Sequence, residues 1–253
     1  MNPTLITFLI VCPTVGLAGF VDAIGGGGGL ISLPVYMLAG LPTHQAIATN
    51  KLSSTCGTAL ATWKFIREKL VDFRLAIPAV IAAIAGSSIG AHISLMLNDK
   101  VIKSILLVAL PIAAFFVLNK KLFHDSGERD IPITRRTVII SILAAFIIGI
   151  YDGIYGPGPG TFQIIALTVF DKLGLATSNA QTKVINLTTN GTSLAIFLIN
   201  GKVLLSLGIA AAICNMVGNY IGANLSLSKG STISRPIIII VLILLAIKVI
   251  GGF

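Results

Sequence analysis

Long stretches of this chain contain no Asp, Glu, Lys or Arg: residues 1–21, 23–50, 75–97, 184–201 and 203–228. Each approaches or exceeds the ~20 apolar residues that cross a bilayer as a helix. In lipid the backbone must pair its own polar groups, so such runs fold as helices packed on one another. Only 11% of residues are charged and 55% are hydrophobic, whereas a soluble domain carries roughly 25% charged residues. The chain therefore reads as an all-α, polytopic, multi-pass membrane protein with no separate soluble core.

Hydrophobic segments fall at about 4–24, 30–41, 46–65, 75–97 and 102–119, then 136–155, 160–171, 180–200, 203–227 and 235–252. This predicts about eight full transmembrane helices and two short half-helices. The first segment lacks a basic leader and a small-residue cleavage site, so it is expected to be retained as a membrane segment. The second five segments echo the first five. Lys51 aligns with Lys183 at a spacing of 132 residues. At the same spacing Gly86-Ser87-Ser88-Ile89-Gly90-Ala91 aligns with Gly218-Asn219-Tyr220-Ile221-Gly222-Ala223, and Ser94-Leu95 with Ser226-Leu227. Two homologous units are expected, 1–119 and 136–253, joined by a cytoplasmic linker at 120–135.

Basic residues gather in two loops: Lys64, Arg67, Lys69 and Arg74, then Lys120, Lys121, Arg129, Arg135 and Arg136. The positive-inside rule makes their side cytoplasmic. It also accounts for the net charge of +9 without a nucleic-acid partner. The two short segments decide the symmetry. If each completes a separate crossing, the units have five spans and are inverted. If each folds back, the units have four spans and are parallel. Inversion places Lys172, Lys229 and Arg235 inside and Lys202 outside, and the charge rule prefers it by three to one.

Both short segments follow a break. Asp22 leads into Gly25–Gly29, and about 130 residues later Asp152 leads into Gly156-Pro157-Gly158-Pro159-Gly160. Paired interruptions in matching membrane helices point to a transporter substrate site. A helix restarting after a break offers free N–H groups and a partial positive charge. Gly26, Gly27, Gly28 and Gly29 are thus candidate anion donors, with Gly158 and Gly160 opposite. The alternative is a glycine kink for close packing. Lys51 and Lys183 are candidates for anion attraction or, near helix ends, for snorkelling to the interface. Asp22 and Asp152 can each pair with their own unit's lysine, bind a coupling proton or sodium ion, or cap the restarting chain. Polar clusters at Thr49, Asn50, Ser53, Ser54 and Thr55, and at Asn186, Thr188, Thr189, Asn190 and Thr192, suit oxyanion hydrogen bonds or interhelical ones. Asn50, Ser54, Asn186 and Asn190 are the candidates for substrate contact.

Gly86/Gly90 and Gly218/Gly222 have the spacing for close helix packing. His92 reads as a satisfied core residue, His44 and His124 as loop residues, and Tyr36 and Trp63 as interface anchors. Cys12, Cys56 and Cys214 are isolated, so free thiols are expected. No zinc-protease, nucleophile-elbow or phosphate-loop pattern occurs. The reading is therefore a non-enzyme with no cofactor or metal and no direct use of ATP.

The chain resembles the sulfite exporter TauE/SafE family of membrane permeases. The residues that carry this are Gly16 to Gly40 with Leu30-Ile31-Ser32-Leu33-Pro34, the run Leu41-Pro42-Thr43-His44-Gln45-Ala46-Ile47-Ala48-Thr49-Asn50-Lys51, and the second copy from Gly149 to Lys183. Gly86–Ala91 and Gly218–Ala223 complete the pattern. Pro157 and Pro159 depart from a plain glycine run. The resemblance implies a secondary transporter of small sulfur-containing oxyanions such as sulfite or organosulfonates, in a cell inner membrane, working by alternating access and able to form a homo-oligomer. The rival readings are a channel-like facilitator and a membrane accessory that hands a sulfur intermediate to an enzyme.

Overall fold

The computed structural model describes residues 3–98, 100–102, 104, 133–229, 232–233, 236–237 and 240. The expected linker at 120–135 lies largely outside them, as do His124 and most of the segments at 102–119 and 235–252. The described residues form α1 (Leu5–Gly25), α2 (Gly29–Leu38), α3 (Thr43–Arg67), α4 (Phe73–Met96), α5 (Arg135–Ile154), α6 (Pro159–Val169), α7 (Leu175–Ile199) and α8 (Leu205–Lys229). Four of these, α1, α4, α5 and α8, are long and apolar enough to cross a membrane. Their outward faces are exposed apolar side chains, among them Leu9, Leu17, Ile81, Ile147 and Ile213. Helices α3 and α7 are as long but polar, and they bury Asn50, Lys51, Ser53, Lys183, Asn186 and Thr189 inside the bundle. Polar side chains inside and hydrocarbon outside is the arrangement that lipid demands.

The repeat is visible in local chemistry. Thr4 caps α1 by accepting the Thr7 N–H, and Thr134 caps α5 by accepting the Thr137 N–H. Such caps satisfy donors that a helix start leaves orphaned. The paired glycines pack as expected. A methyl group on Gly86 would overlap Phe146 O, and one on Gly90 would overlap Ile150 O. Likewise Gly218 lies on Gly16 O and Gly222 on Phe20 O. The first helix of each unit thus packs on the fourth helix of the other.

These contacts also give helix directions. The pairs α4–α5 and α1–α8 run parallel, because their contacts advance together along both helices. Helix α3 runs parallel to α8, with Gly57 against Asn215 and the Lys64 ammonium donating to Asn224 further on. It runs antiparallel to α7, where the Thr62 hydroxyl donates to Lys183 O and Thr55 faces Gly191. It is also antiparallel to α4, with the His44 ring at Ser94 O, 2.9 Å away. So α1, α3 and α8 point one way, and α4, α5 and α7 the other. Equivalent helices of the two units are therefore inverted.

The short helices double back. Gly28 N–H donates to Asp22 Oδ1 at 3.2 Å, and Leu33 and Tyr36 share a buried cluster with Val11 and Val15 of α1. Leu167 and Leu173 likewise meet Val138 near the start of α5. Folding back and inversion, expected to exclude one another, coexist. Each limb returns the chain to the end where its long helix began, so the limb serves as the return pass. Lys64, Arg67, Lys69, Arg74, Arg135, Arg136, Lys172 and Lys229 come to one end of the bundle, and Lys100 and Lys202 to the other.

Three smaller expectations change. Tyr36 is no interface anchor: it is fully buried and its hydroxyl donates to Ser53 Oγ at 3.1 Å. His92 is exposed, its Nδ1 at Ser88 O, one turn back on α4. His44 belongs to the first turn of α3, not to a loop. Trp63 is half-exposed, as an interface residue is.

Candidate functional site

The two breaks meet. A methyl group on Gly26 would overlap Thr161 N, and one on Gly160 would sit 3.0 Å from Gly26 Cα. Gly29 abuts Gly156 O in the same way, and the Thr161 hydroxyl donates to Gly25 O at 3.0 Å. Gly26 and Gly160 are therefore back to back, where only hydrogen fits. Beside this junction lies a cavity of about 20 Å³, room for about one water molecule.

Its walls are drawn from both units. Asp22, Gly27, Gly28, Gly29, Asn50, Ser54 and Thr58 come from the first, and Asp152, Gly156, Pro159, Asn186, Asn190 and Asn215 from the second. Ser54 and Asn186 are equivalent positions, as are Thr58 and Asn190, so the cavity straddles the axis between the inverted units. The four polar side chains named as substrate contacts, Asn50, Ser54, Asn186 and Asn190, come together here. So do both aspartates and Gly27, Gly28 and Gly29, three of the six candidate glycines, while Gly26 and Gly160 are taken up by the junction. Gly158 does not line the cavity; it caps α6 in a left-handed conformation, φ +86°. Glycine reaches that conformation without the steric cost other residues incur. Gly27, at φ +80°, uses the same freedom at the cavity wall. Gly26 and Gly28 N–H groups are already spent on Asp22 O and Asp22 Oδ1.

The lysines do not line the cavity either. Lys51 Nζ donates to Asp152 Oδ1 at 2.6 Å, with each side chain 1% exposed. Lys183 Nζ donates to Asp22 Oδ2 at 2.9 Å and also to Asp22 O. The pairing is crosswise: each lysine takes the carboxylate of the other unit, not that of its own. Removing one partner from such a buried pair leaves an uncompensated charge. The two pairs thus tie the units together at both sides of the cavity while cancelling each other's charge.

Sequence reasoning passed over Thr58, Gly156 and Asn215. Asn215 had a signal, being polar in the apolar run 203–228 and four residues before Asn219. Its amide donates to Val15 O at 3.1 Å, and Asn219 donates to its Oδ1 at 2.7 Å. The repeat hid it, because the equivalent position is Ala83. Asn50 accepts the Ser32 hydroxyl at 2.6 Å, which orients its amide. The walls therefore present amides and hydroxyls around a charge-neutral centre.

A family model described as Sulfite exporter TauE/SafE matches residues 11–249. A probable membrane transporter protein ORF9 of Sinorhizobium sp is 31% identical over 98% of this chain and 93% of its own length. A probable membrane transporter protein YfcA of Escherichia coli K12 is 34% identical over 92% of this chain and 85% of its own. One from Haemophilus influenzae is 31% identical over 92% and 91%. No solved structure matches. With its apolar helices and buried polar centre, the chain is a multi-pass membrane transporter, and it belongs to the sulfite exporter TauE/SafE family.

Proposed function

We propose that this transporter moves small sulfur-containing oxyanions, sulfite or organosulfonates, across the bacterial inner membrane by alternating access. The observation that carries the reading is the amide- and hydroxyl-lined cavity shared by two inverted units, with a crosswise ion pair on either side. Amides and hydroxyls can give several oxyanion oxygens a donor each. At about 20 Å³ the cavity is too small for a sulfonate, so binding requires the units to part. Inverted units rocking about a fixed midplane site supply that motion. The name of the family supports sulfur oxyanions as the substrate class.

The units are 1–119 and 136–253, with a proton or sodium gradient as the driving force. The basic end of the bundle is cytoplasmic by the positive-inside rule, so the N-terminus faces outward. Purified chain in liposomes, offered sulfite, thiosulfate, methanesulfonate and sulfate, tests the reading. The expected result is accumulation of a sulfur anion against its gradient. Equilibration without accumulation favours a facilitator. Movement of none of the four favours an accessory that needs a partner enzyme.

A further inference from the structure

We propose that Asp152 carries one proton with each monoanion, held on Oδ2 while the cavity is loaded. The inference rests on the transport reading above and names its coupling ion. Around the cavity two lysines and two aspartates cancel. A monoanion entering there leaves a net negative charge in a water-poor interior, which costs several kcal/mol per ion after relaxation. A monovalent cation arriving with it removes that cost.

The two carboxylates differ in how they can receive one. Both oxygens of Asp22 are engaged, Oδ1 by the Gly28 N–H at 3.2 Å and Oδ2 by Lys183 at 2.9 Å. Asp152 uses only Oδ1, for Lys51. Its Oδ2 is buried with no hydrogen-bond partner among the described residues, and the side chain forms part of the cavity wall. A buried carboxylate oxygen without a donor is costly. A proton on Oδ2 removes the carboxylate's charge, and the anion in the cavity accepts from the new O–H. The step forms one O–H bond, with the proton taken from water on one side and returned to water on the other. The positive charge of Lys51, no longer balanced by Asp152, is then balanced by the anion.

Among the described residues, no other carboxylate in the cavity wall has an oxygen without a partner. Lys51 of α3 faces Asp152 directly. From α4, Ser87, Gly90 and Ala91 pack around the neighbouring Gly153. From α7, Asn186 and Asn190 share the cavity, and Lys183 is held by Asp22 across it. On α5 and the break, the Tyr151 hydroxyl donates to Pro157 O at 2.8 Å and the Tyr155 hydroxyl reaches Met37 Sδ at 4.0 Å.

The test uses purified full-length chain in liposomes holding a pH dye, with the membrane potential clamped by potassium and valinomycin. The probe is methanesulfonate, whose charge is fixed across the neutral range. The expected result is one proton moving with each methanesulfonate in the same direction. One pH unit then sustains about a tenfold accumulation, since 1.4 kcal/mol is a factor of ten. A sodium gradient sustains none. Whatever exchange Asp152→Asn retains carries no proton and does not respond to a pH gradient. Wild-type flux without protons, or driven by sodium, overturns the proposal. Proton movement persisting in Asp152→Asn overturns the residue assignment. No methanesulfonate movement by the wild type overturns the transport reading for this anion class, and the proton with it.

Discussion

The crosswise pairing makes a prediction that separates it from every same-unit arrangement. Lys51 and Asp152 are each 1% exposed and 2.6 Å apart. Breaking such a buried pair by removing one partner costs about 3–5 kcal/mol, whereas neutralising both together is often neutral. Lys51→Met and Asp152→Asn should each destabilise the purified protein by that amount. The double variant should cost no more than either single change, a coupling of about 3 kcal/mol, at the upper end for contacting residues. The same-unit combination of Lys51→Met with Asp22→Asn, which removes no direct ion pair, should instead show clearly weaker coupling. Lys51→Arg should rescue poorly, because a planar fork replaces a compact point charge. Equilibrium unfolding in detergent, followed by intrinsic fluorescence of Trp63, supplies the energies. Strong coupling between Lys51 and Asp22, or none between Lys51 and Asp152, refutes the reasoning.

Four further outcomes are expected. Gly218→Ala forces a methyl group against Gly16 O and should cost about 1–3 kcal/mol by overpacking, with flux falling in step with the folded fraction. Gly27→Ala, at the cavity wall, should cut flux more than stability, and equal loss of both would return Gly27 to the scaffold. Burial raises the Asp171 carboxyl, in the α6–α7 connection, to about 7 against the opposing Arg136 guanidinium. The folded state then holds this proton more tightly than the unfolded one. Stability is full at low pH and should fall as pH rises from about 4 through about 7, a slope that Asp171→Asn should flatten in thermal scans. Cysteines at positions 172 and 229 should label from the cytoplasm and one at 202 from outside, and the reverse pattern would overturn the assigned sidedness.

Much of this was legible in the residues. The two Asp-led breaks meet, the glycine pairs pack helix on helix, and the polar runs beside Lys51 and Lys183 are buried inside the bundle. What stayed hidden was relation, not composition. Aligning Lys51 with Lys183 shows that they are equivalent, but equivalence holds whether each lysine pairs within its unit or across. Only the packing of α1 on α8 and of α5 on α4 brings each carboxylate to the other unit's lysine. In the same way a glycine run announces a break without saying which glycines face the cavity. Gly26 faces the opposing break and Gly27 the cavity because one peptide turns between them. Asn215 escaped because a repeat-based search favours residues with a mate.

The central claim is that the shared cavity is where the anion binds. Asn186→Leu tests it most directly, since it keeps the branched side-chain shape while removing the amide from the cavity wall. Uptake of labelled methanesulfonate and thermal stability are measured together on wild-type and variant protein in liposomes. The account predicts that the variant stays folded and loses accumulation. Undiminished accumulation by a folded Asn186→Leu protein would contradict it.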